Sequence, residues 1–240
     1  MRLLVTRPPP DGERTADALR AGGHDVLAVP MLHMQTLSFE VPDRPYAGVV
    51  MTSANAARAI AGHPRCAGLA KLPAFAVGAH TAEAARIAGF AHVQCAQGDR
   101  MALAATLRER LGAPAQPLLY LAGEDRAGDG ELAPSGVALV TAVVYRMVKA
   151  ARFSESVTSA LRERQVDGVL HFSRRSAHAY VDCAQHAGLL DRALAPVQFC
   201  LSRQVAEPLA ASGAAGIRIA SHPNEAAMLA LVDSRAATPA

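Results

Sequence analysis

YAGVVMTSANAARAI, Tyr46 to Ile60, passes from an apolar block through Thr52-Ser53-Ala54-Asn55 into an alanine-rich helical pattern. VDGVLHFSRRSAHAY, Val166 to Tyr180, does the same. Laid over one another, Gly48 meets Gly168, Val49 meets Val169, Ser53 meets Ser173 and Ala57 meets Ala177. The match continues downstream, where FAVGAHTAEAARIAG (Phe75 to Gly89) lies over FCLSRQVAEPLAASG (Phe199 to Gly213) and both segments close on glycine. Upstream, LLVTR at Leu3 and the later LAVP resemble LLYLA at Leu118 and the later AVVY. Self-similarity of this kind reports the architecture directly. The chain reads as a degenerate duplication of one α/β unit.

Within each copy, short apolar runs alternate with longer amphipathic ones. Leu3-Leu4-Val5, Asp25 to Met31, Gly48 to Met51, Ala74 to Val77, His92 to Cys95 and Leu118 to Leu121 read as strands. Glu13 to Arg20, Ala56 to Ala61, Thr81 to Ala88 and Met101 to Leu111 read as helices, the first stopped by Gly22-Gly23. Strands that are apolar throughout and separated by helices predict a parallel sheet covered on both faces. The expected fold class is α/β, with two similar flavodoxin-like lobes joined by a two-stranded linker.

Met31 to Pro45 and Arg146 to Phe153 look least like helix or sheet core, and each follows the second strand of its copy. If both are crossings, the first βαβ piece joins the C-terminal part. One domain is then residues 1–36 with 150–240 and the other is 37–149, with linkers near 31–45 and 146–153. Open parallel sheets bind ligands beyond the carboxyl ends of their strands, so a cleft between the lobes is the expected site.

Composition removes several classes. With 51% hydrophobic residues there is material for two cores, yet no apolar run approaches the ~18 residues of a membrane span. MRLLVTRPPP lacks the apolar region of a signal peptide, so a cytoplasmic location is expected. Net charge is only +3, too weak and dispersed for a nucleic-acid surface. Cys66, Cys95, Cys183 and Cys200 show no CxxC spacing, and His171 and His178 have no acidic partner placed for a metal, so neither metal nor redox motif is expected. AGEDRAGDGE is glycine-rich without GxGxxG, and the segment after it contains Pro134, which argues against a dinucleotide cofactor.

Thr52-Ser53-Ala54-Asn55 sits where a strand ends and a helix begins, where free N–H groups and the helix dipole attract anions. Capping of the helix by Ser53 or Asn55 is the competing role. Similar turns recur at Thr6-Arg7-Pro8, Gly78-Ala79-His80-Thr81, Gly123-Glu124-Asp125, Ser173-Arg174-Arg175-Ser176 and Ser202-Arg203-Gln204. Several anion-friendly turns suit a ligand with several acidic groups.

VTRP (Val5 to Pro8), TSANA (Thr52 to Ala56), VGAHTA (Val77 to Ala82), VVYR (Val143 to Arg146), FS (Phe172-Ser173), LSRQVAEPLAASG (Leu201 to Gly213) and HPNEAAMLALV (His222 to Val232) stand in the order found in uroporphyrinogen-III synthases. The chain resembles that family over nearly its whole length. The resemblance implies cyclisation of hydroxymethylbilane, a linear tetrapyrrole with eight carboxylates. The product is uroporphyrinogen III, formed with inversion of ring D through a spiro intermediate and loss of water. It also implies no metal and no cofactor.

Carried over by residue, Tyr145 matches the family's VY tyrosine, a phenol suited to donate to the departing hydroxyl. Arg7, Ser53, Asn55, Gly78, Thr81, Gly123, Ser173, Ser202 and Gln204 are the implied substrate contacts. Arg174, Arg175 and Arg203 are further candidates for pairing with acetate or propionate groups, and Val205 stands at the position equivalent to Thr81. A monomer in transient contact with the upstream deaminase is expected, with no nucleic-acid or membrane partner. Two rival classes remain, the first sharing the duplication and the second the cleft. A two-cysteine racemase needs one thiol at the same turn of each half, which this chain lacks. A non-enzymatic tetrapyrrole or small-anion binding or sensor module is the alternative. Ser234 to Ala240 reads as a frayed tail.

Overall fold

Leu3, Leu4 and Val5, like Val49, Val50 and Met51, have no exposed surface, so neighbouring residues on one strand are buried against different faces. The computed structural model describes residues 1–112, 115–126, 132 and 136–236. Residues 127–131 of AGEDRAGDGE, Pro134 and residues 237–240 of the expected tail lie outside the described residues. The chain divides into two compact units, Met1–His33 with Val148–Ala240, and Met34–Met147.

In chain order the structure opens with β1 (Arg2–Val5), α1 (Asp11–Ala21), β2 (Asp25–Ala28) and β3 (Leu32–Thr36). There follow β4 (Gly48–Met51), α2 (Ala54–Ala61), α3 (Cys66–Leu69), β5 (Ala74–Ala76), α4 (Ala79–Ile87), β6 (Val93–Cys95), α5 (Arg100–Leu111), β7 (Leu118–Gly123) and β8 (Leu139–Lys149). The remainder comprises α6 (Glu155–Arg162), β9 (Gly168–His171), α7 (Arg174–His186), α8 (Leu190–Leu194), β10 (Val197–Cys200), α9 (Arg203–Ala211), β11 (Ile217–Ile219) and α10 (Glu225–Ala236).

The first unit holds a parallel sheet in the order β11-β10-β9-β1-β2. Leu4, Val169 and Cys200 pack on one face with Ala177, Tyr180 and Val205. Leu3, Val5, Leu170 and Phe199 pack on the other with Met228 and Val232. Side chains alternate across a strand, so apolar runs without polar interruption are what two covered faces require. The second unit repeats the arrangement as β3-β8-β7-β4-β5-β6, in which β7, β4, β5 and β6 correspond to β1, β9, β10 and β11. Both units therefore share the flavodoxin-like strand order, the second with its leading pair of parallel strands moved to the end of the unit.

The chain crosses between the units on β3 and β8, which are neighbours in the second sheet. Leu37 N–H donates to Val144 at 3.0 Å and Ala150 N–H to Met31 at 3.0 Å, so residue numbers run in opposite senses and the two strands are antiparallel. Arg146 to Lys149, inside one of the two stretches expected to form the two-stranded linker, is the end of the long strand β8, which pairs with β3. Departures from the sequence pattern have local causes. Helix α2 begins at Ala54, two residues earlier than the pattern suggests, because Ser53 adopts an extended conformation and accepts from Asn55 N–H. Helix α6 went unread, although Ser154 caps it by accepting from Val157 N–H and Val157, Ala160 and Leu161 form its buried stripe. The first residues of the expected tail, Ser234 to Ala236, continue α10 instead, and Ser234 Oγ donates back to the Leu231 carbonyl at 2.9 Å.

The aligned glycines have the same physical cause in both units. A Cβ on Gly48 would lie 3.0 Å from Phe75 Cε2, and one on Gly168 would lie 2.6 Å from Phe199 Cε2. Each phenylalanine lies on the neighbouring strand, in register with the residue two beyond its glycine. Neither ring can shift freely in a packed interior. Gly168→Ala is expected to lower stability by about 1–3 kcal/mol, the scale of an overpacked core, with part of the loss restored by adding Phe199→Leu. Urea denaturation of the single and double variants measures this.

Candidate functional site

In each sheet the strand order reverses beside the first strand, between β1 and β9 in one unit and between β7 and β4 in the other, and ligands of open α/β sheets bind outside the carboxyl ends there. In the second unit, that edge brings together Thr52 and Ser53 after β4, Gly78 after β5 and Gly123 at the end of β7. Asn55 and Thr81 lie in the first turns of α2 and α4, the latter buried. Thr52 Oγ1 lies 2.9 Å from the hydroxyl of the buried Tyr120. Asn55 Oδ1 accepts from Arg58 at 2.7 Å, while its Nδ2 lies 3.5 Å from Met147 Sδ.

Tyr145 occupies this edge through a break in register. β7 and β8 pair in step up to Ala122 and Val143, after which Gly123 pairs with Tyr145, leaving Val144 as the extra residue. Such a bulge re-aims the side chains around it. Glu124 N–H donates to the Tyr145 carbonyl at 2.9 Å, pinning the backbone on the far side of the bulge. The phenol ring lies over Gly123, whose Cβ, if present, would be 2.7 Å from Tyr145 Cζ and 2.8 Å from its hydroxyl. Gly123, expected as a substrate contact, thus also provides the floor on which the half-buried Tyr145 rests.

The first unit places Arg7, Ser173, Ser202 and Gln204 along its own carboxyl edge. Ser173 and Ser202 both have extended backbone and cap their helices, accepting from Ser176 N–H at 3.0 Å and Val205 N–H at 3.4 Å. Gln204 is exposed in the first turn of α9. Gly78 caps α4 in the extended conformation without a side-chain bond. The hydroxyls of Ser53, Ser173 and Ser202 are therefore engaged in capping, and the backbone donors of the first turns are what these helices offer an anion. Arg7 is not a free cation: its Nη2 lies 3.2 Å from Asp11 and its Nη1 3.4 Å from Glu225, and its guanidinium stacks 4.9 Å from the Phe172 ring centre. Arg174 pairs with Glu207 at 3.1 Å, and Arg203 is exposed at the start of α9.

Beneath the first unit's edge lies a buried polar chain that the sequence did not reveal. Gln198 donates to the carbonyls of Ala193 at 3.0 Å and Pro196 at 2.8 Å, leaving its Oε1 to accept from His171 Nε2 at 3.0 Å. The proton therefore sits on Nε2, and Nδ1 faces Thr6 Oγ1 at 3.4 Å. Thr6 in turn donates to the Leu170 carbonyl at 2.8 Å, joining β1 to β9 at the reversal. Burial lowers the His171 pKa from 6.5 to about 4, with the Gln198 bond opposing. The only advance signal was a histidine ending an otherwise apolar strand. Among the described residues no cluster of His, Cys, Asp or Glu could hold a metal. A surface cavity of about 600 Å³, lined by Arg164, Asp167, Asp191 and Arg192, opens at the amino ends of β9 and β10, away from the carboxyl edge.

Two doubly covered, mainly parallel sheets, each with helix N-termini at its carboxyl edge, make this a two-unit α/β protein. The sequence model of the uroporphyrinogen-III synthase HemD family matches residues 13–230, and the chain belongs to that family. In structure it is similar to uroporphyrinogen-III synthetase from Helicobacter pylori 26695, with a TM-score of 0.67 and 20% identity over 98% of this chain and 100% of that one. It is also similar to a mutant uroporphyrinogen III synthase from the extremely thermophilic bacterium Thermus thermophilus, with a TM-score of 0.52 and 17% identity over 98% of each chain. No curated protein sequence matches the chain.

Two outcomes follow from this geometry. Gly123→Ala is expected to displace the Tyr145 ring and to reduce turnover at least tenfold, in line with the sensitivity of catalysis to small misplacements, while the melting temperature changes little. Turnover and thermal melts on one preparation separate the two effects. For His171, the unfolded chain takes up a proton below pH 6.5 that the folded chain refuses until about pH 4. Stability from this group is therefore complete above pH 6.5 and falls as pH drops through the window, by roughly 3 kcal/mol in total. Urea midpoints from pH 7 to 4 should fall more steeply for the wild type than for His171→Gln.

Proposed function

We propose that the chain cyclises hydroxymethylbilane to uroporphyrinogen III, with Tyr145 as the group that donates to the departing hydroxyl. The observation that carries this assignment is the seating of Tyr145 by the bulge and by Gly123 at the carboxyl edge of a sheet. Loss of that hydroxyl as water leaves an azafulvene cation at the end of the bilane. Attack by the substituted carbon of ring D then gives the spiro intermediate, which fragments and recloses with the ring inverted. A phenol poised to hydrogen-bond the leaving oxygen assists the first step.

The remaining requirement is geometric. Unaided, the bilane closes to the type I isomer, so the protein must hold the two reacting ends in the arrangement that favours ring-D inversion. In each unit taken by itself, the first-turn N–H groups at the carboxyl edge suit acetates and propionates: those of α2 and α4, capped by Ser53 and Gly78, in one, and those of α7 and α9, capped by Ser173 and Ser202, in the other. Asn55, Thr81, Gln204 and Arg7 supply side-chain contacts in the same reading, and no step requires a cofactor. Among the described residues no helix is long and apolar enough to cross a membrane. A cytoplasmic monomer that takes its substrate by transient contact with the upstream deaminase suits a bilane that closes spontaneously if left in water.

The test mixes freshly generated hydroxymethylbilane with the protein, oxidises the products and separates uroporphyrin isomers I and III. Predominant isomer III is expected, with Tyr145→Phe reducing its rate by about 10²-fold or more, the scale of positioned proton transfer. Isomer I alone at the uncatalysed rate, from folded protein, would overturn the activity and favour a binding module.

A further inference from the structure

Glu225 opens α10, the last helix of the chain, yet its carboxylate reaches back to the start of the sequence. One oxygen accepts from Thr15 Oγ1 and lies 3.4 Å from Arg7 Nη1; the other accepts from Arg14 Nη2 at 3.2 Å. Arg7 lies two residues beyond the end of β1, at the point where strand order reverses. Its other terminal nitrogen is held by Asp11 at 3.2 Å, and Phe172, the residue after β9, lies under its guanidinium. The Arg7 side chain keeps 22% of its surface exposed. Two carboxylates and one ring thus restrain a long, flexible side chain that remains accessible at the carboxyl edge.

We propose that Glu225 is a positioning residue for substrate recognition, fixing the guanidinium of Arg7 against Phe172 so that its exposed part meets a carboxylate of the tetrapyrrole. This rests on the activity proposed above. Two effects oppose one another at this position. Glu225 offsets part of the Arg7 charge, which weakens attraction for an anion, and it holds the guanidinium in one orientation, which favours binding. Asp11 stays as a counter-charge when Glu225 is neutralised, so the loss of orientation should dominate.

A double-mutant cycle on Arg7→Ala and Glu225→Gln tests the proposal, with KM, kcat and melting temperature measured for all four proteins. Glu225→Gln should raise KM about fivefold with kcat nearly unchanged, the behaviour of a lost uniform binding interaction. In the Arg7→Ala background the same substitution should change KM less than about twofold, because partners in one network are not additive. Glu225→Asp should recover part of the loss. The proposal is overturned if KM falls in Glu225→Gln, if KM rises equally in both backgrounds, or if only the melting temperature moves.

Quenching of uroporphyrin III fluorescence, measured on the same four proteins, separates this proposal from the activity. An Arg7-dependent loss of affinity in Glu225→Gln without any isomer III from the wild type leaves the positioning role standing and removes the enzymatic one. Isomer III without that loss does the reverse.

Discussion

Burial of the central strands on both faces is the constraint from which the rest of the structure follows. β1, β9, β4 and β7 contribute neighbouring residues to different hydrophobic clusters, so each sheet needs helices on both sides. Parallel strands joined through such helices place every helix N-terminus that follows a strand at one edge. The polar turns gather there because the chain must leave the sheet, and backbone donors of the first helical turn lack intrahelical partners. An edge lined with free backbone donors is therefore a by-product of the sheet's construction, refined by what the turns contain. The two glycine and phenylalanine contacts show how closely both copies keep the same interior: a ring on the neighbouring strand fills the space above the glycine in each.

The copies diverge where chemistry enters. The second unit ends β7 in a glycine and shifts the register of β8 so that Tyr145 stands over it. The first unit instead builds the Thr6, His171 and Gln198 chain beneath its edge and surrounds Arg7 with carboxylates. One unit has a phenol seated on a glycine, the other a guanidinium held over Phe172 and, separately, a neutral buried imidazole.

Hydroxyl residues at the strand ends have a divided role. Ser53, Ser173 and Ser202 each accept a hydrogen bond from their own helix, which stabilises that helix and uses the same lone pairs a donor on a ligand would need. For a ligand whose polar groups are carboxylates this is no loss, since it is acceptor-rich and requires donors. Capping by serine leaves part of the first-turn N–H set for the ligand, and Gly78 leaves its helix start without any side chain across it.

What the sequence alone determined is everything that depends on local pattern and on repetition: the α/β alternation, the sheets covered on both faces, the duplication, and the turns at which Ser53, Gly78, Ser173 and Ser202 stand. These are legible because side-chain period, capping preference and self-similarity are properties of contiguous stretches. Tyr145 was legible as a residue, through the VVYR motif, but its seat was not. Only the tertiary structure decided the register shift that sets it on Gly123, the pairing of Arg146 to Lys149 with the strand at Leu32 to Thr36, the capture of Arg7 by Asp11 and Glu225, and the burial of His171 against Gln198. Apart from the Arg7–Asp11 pair, each of these joins segments far apart in the chain. Such contacts depend on how strands register and helices pack, and that information is distributed over the whole fold rather than written in any one segment.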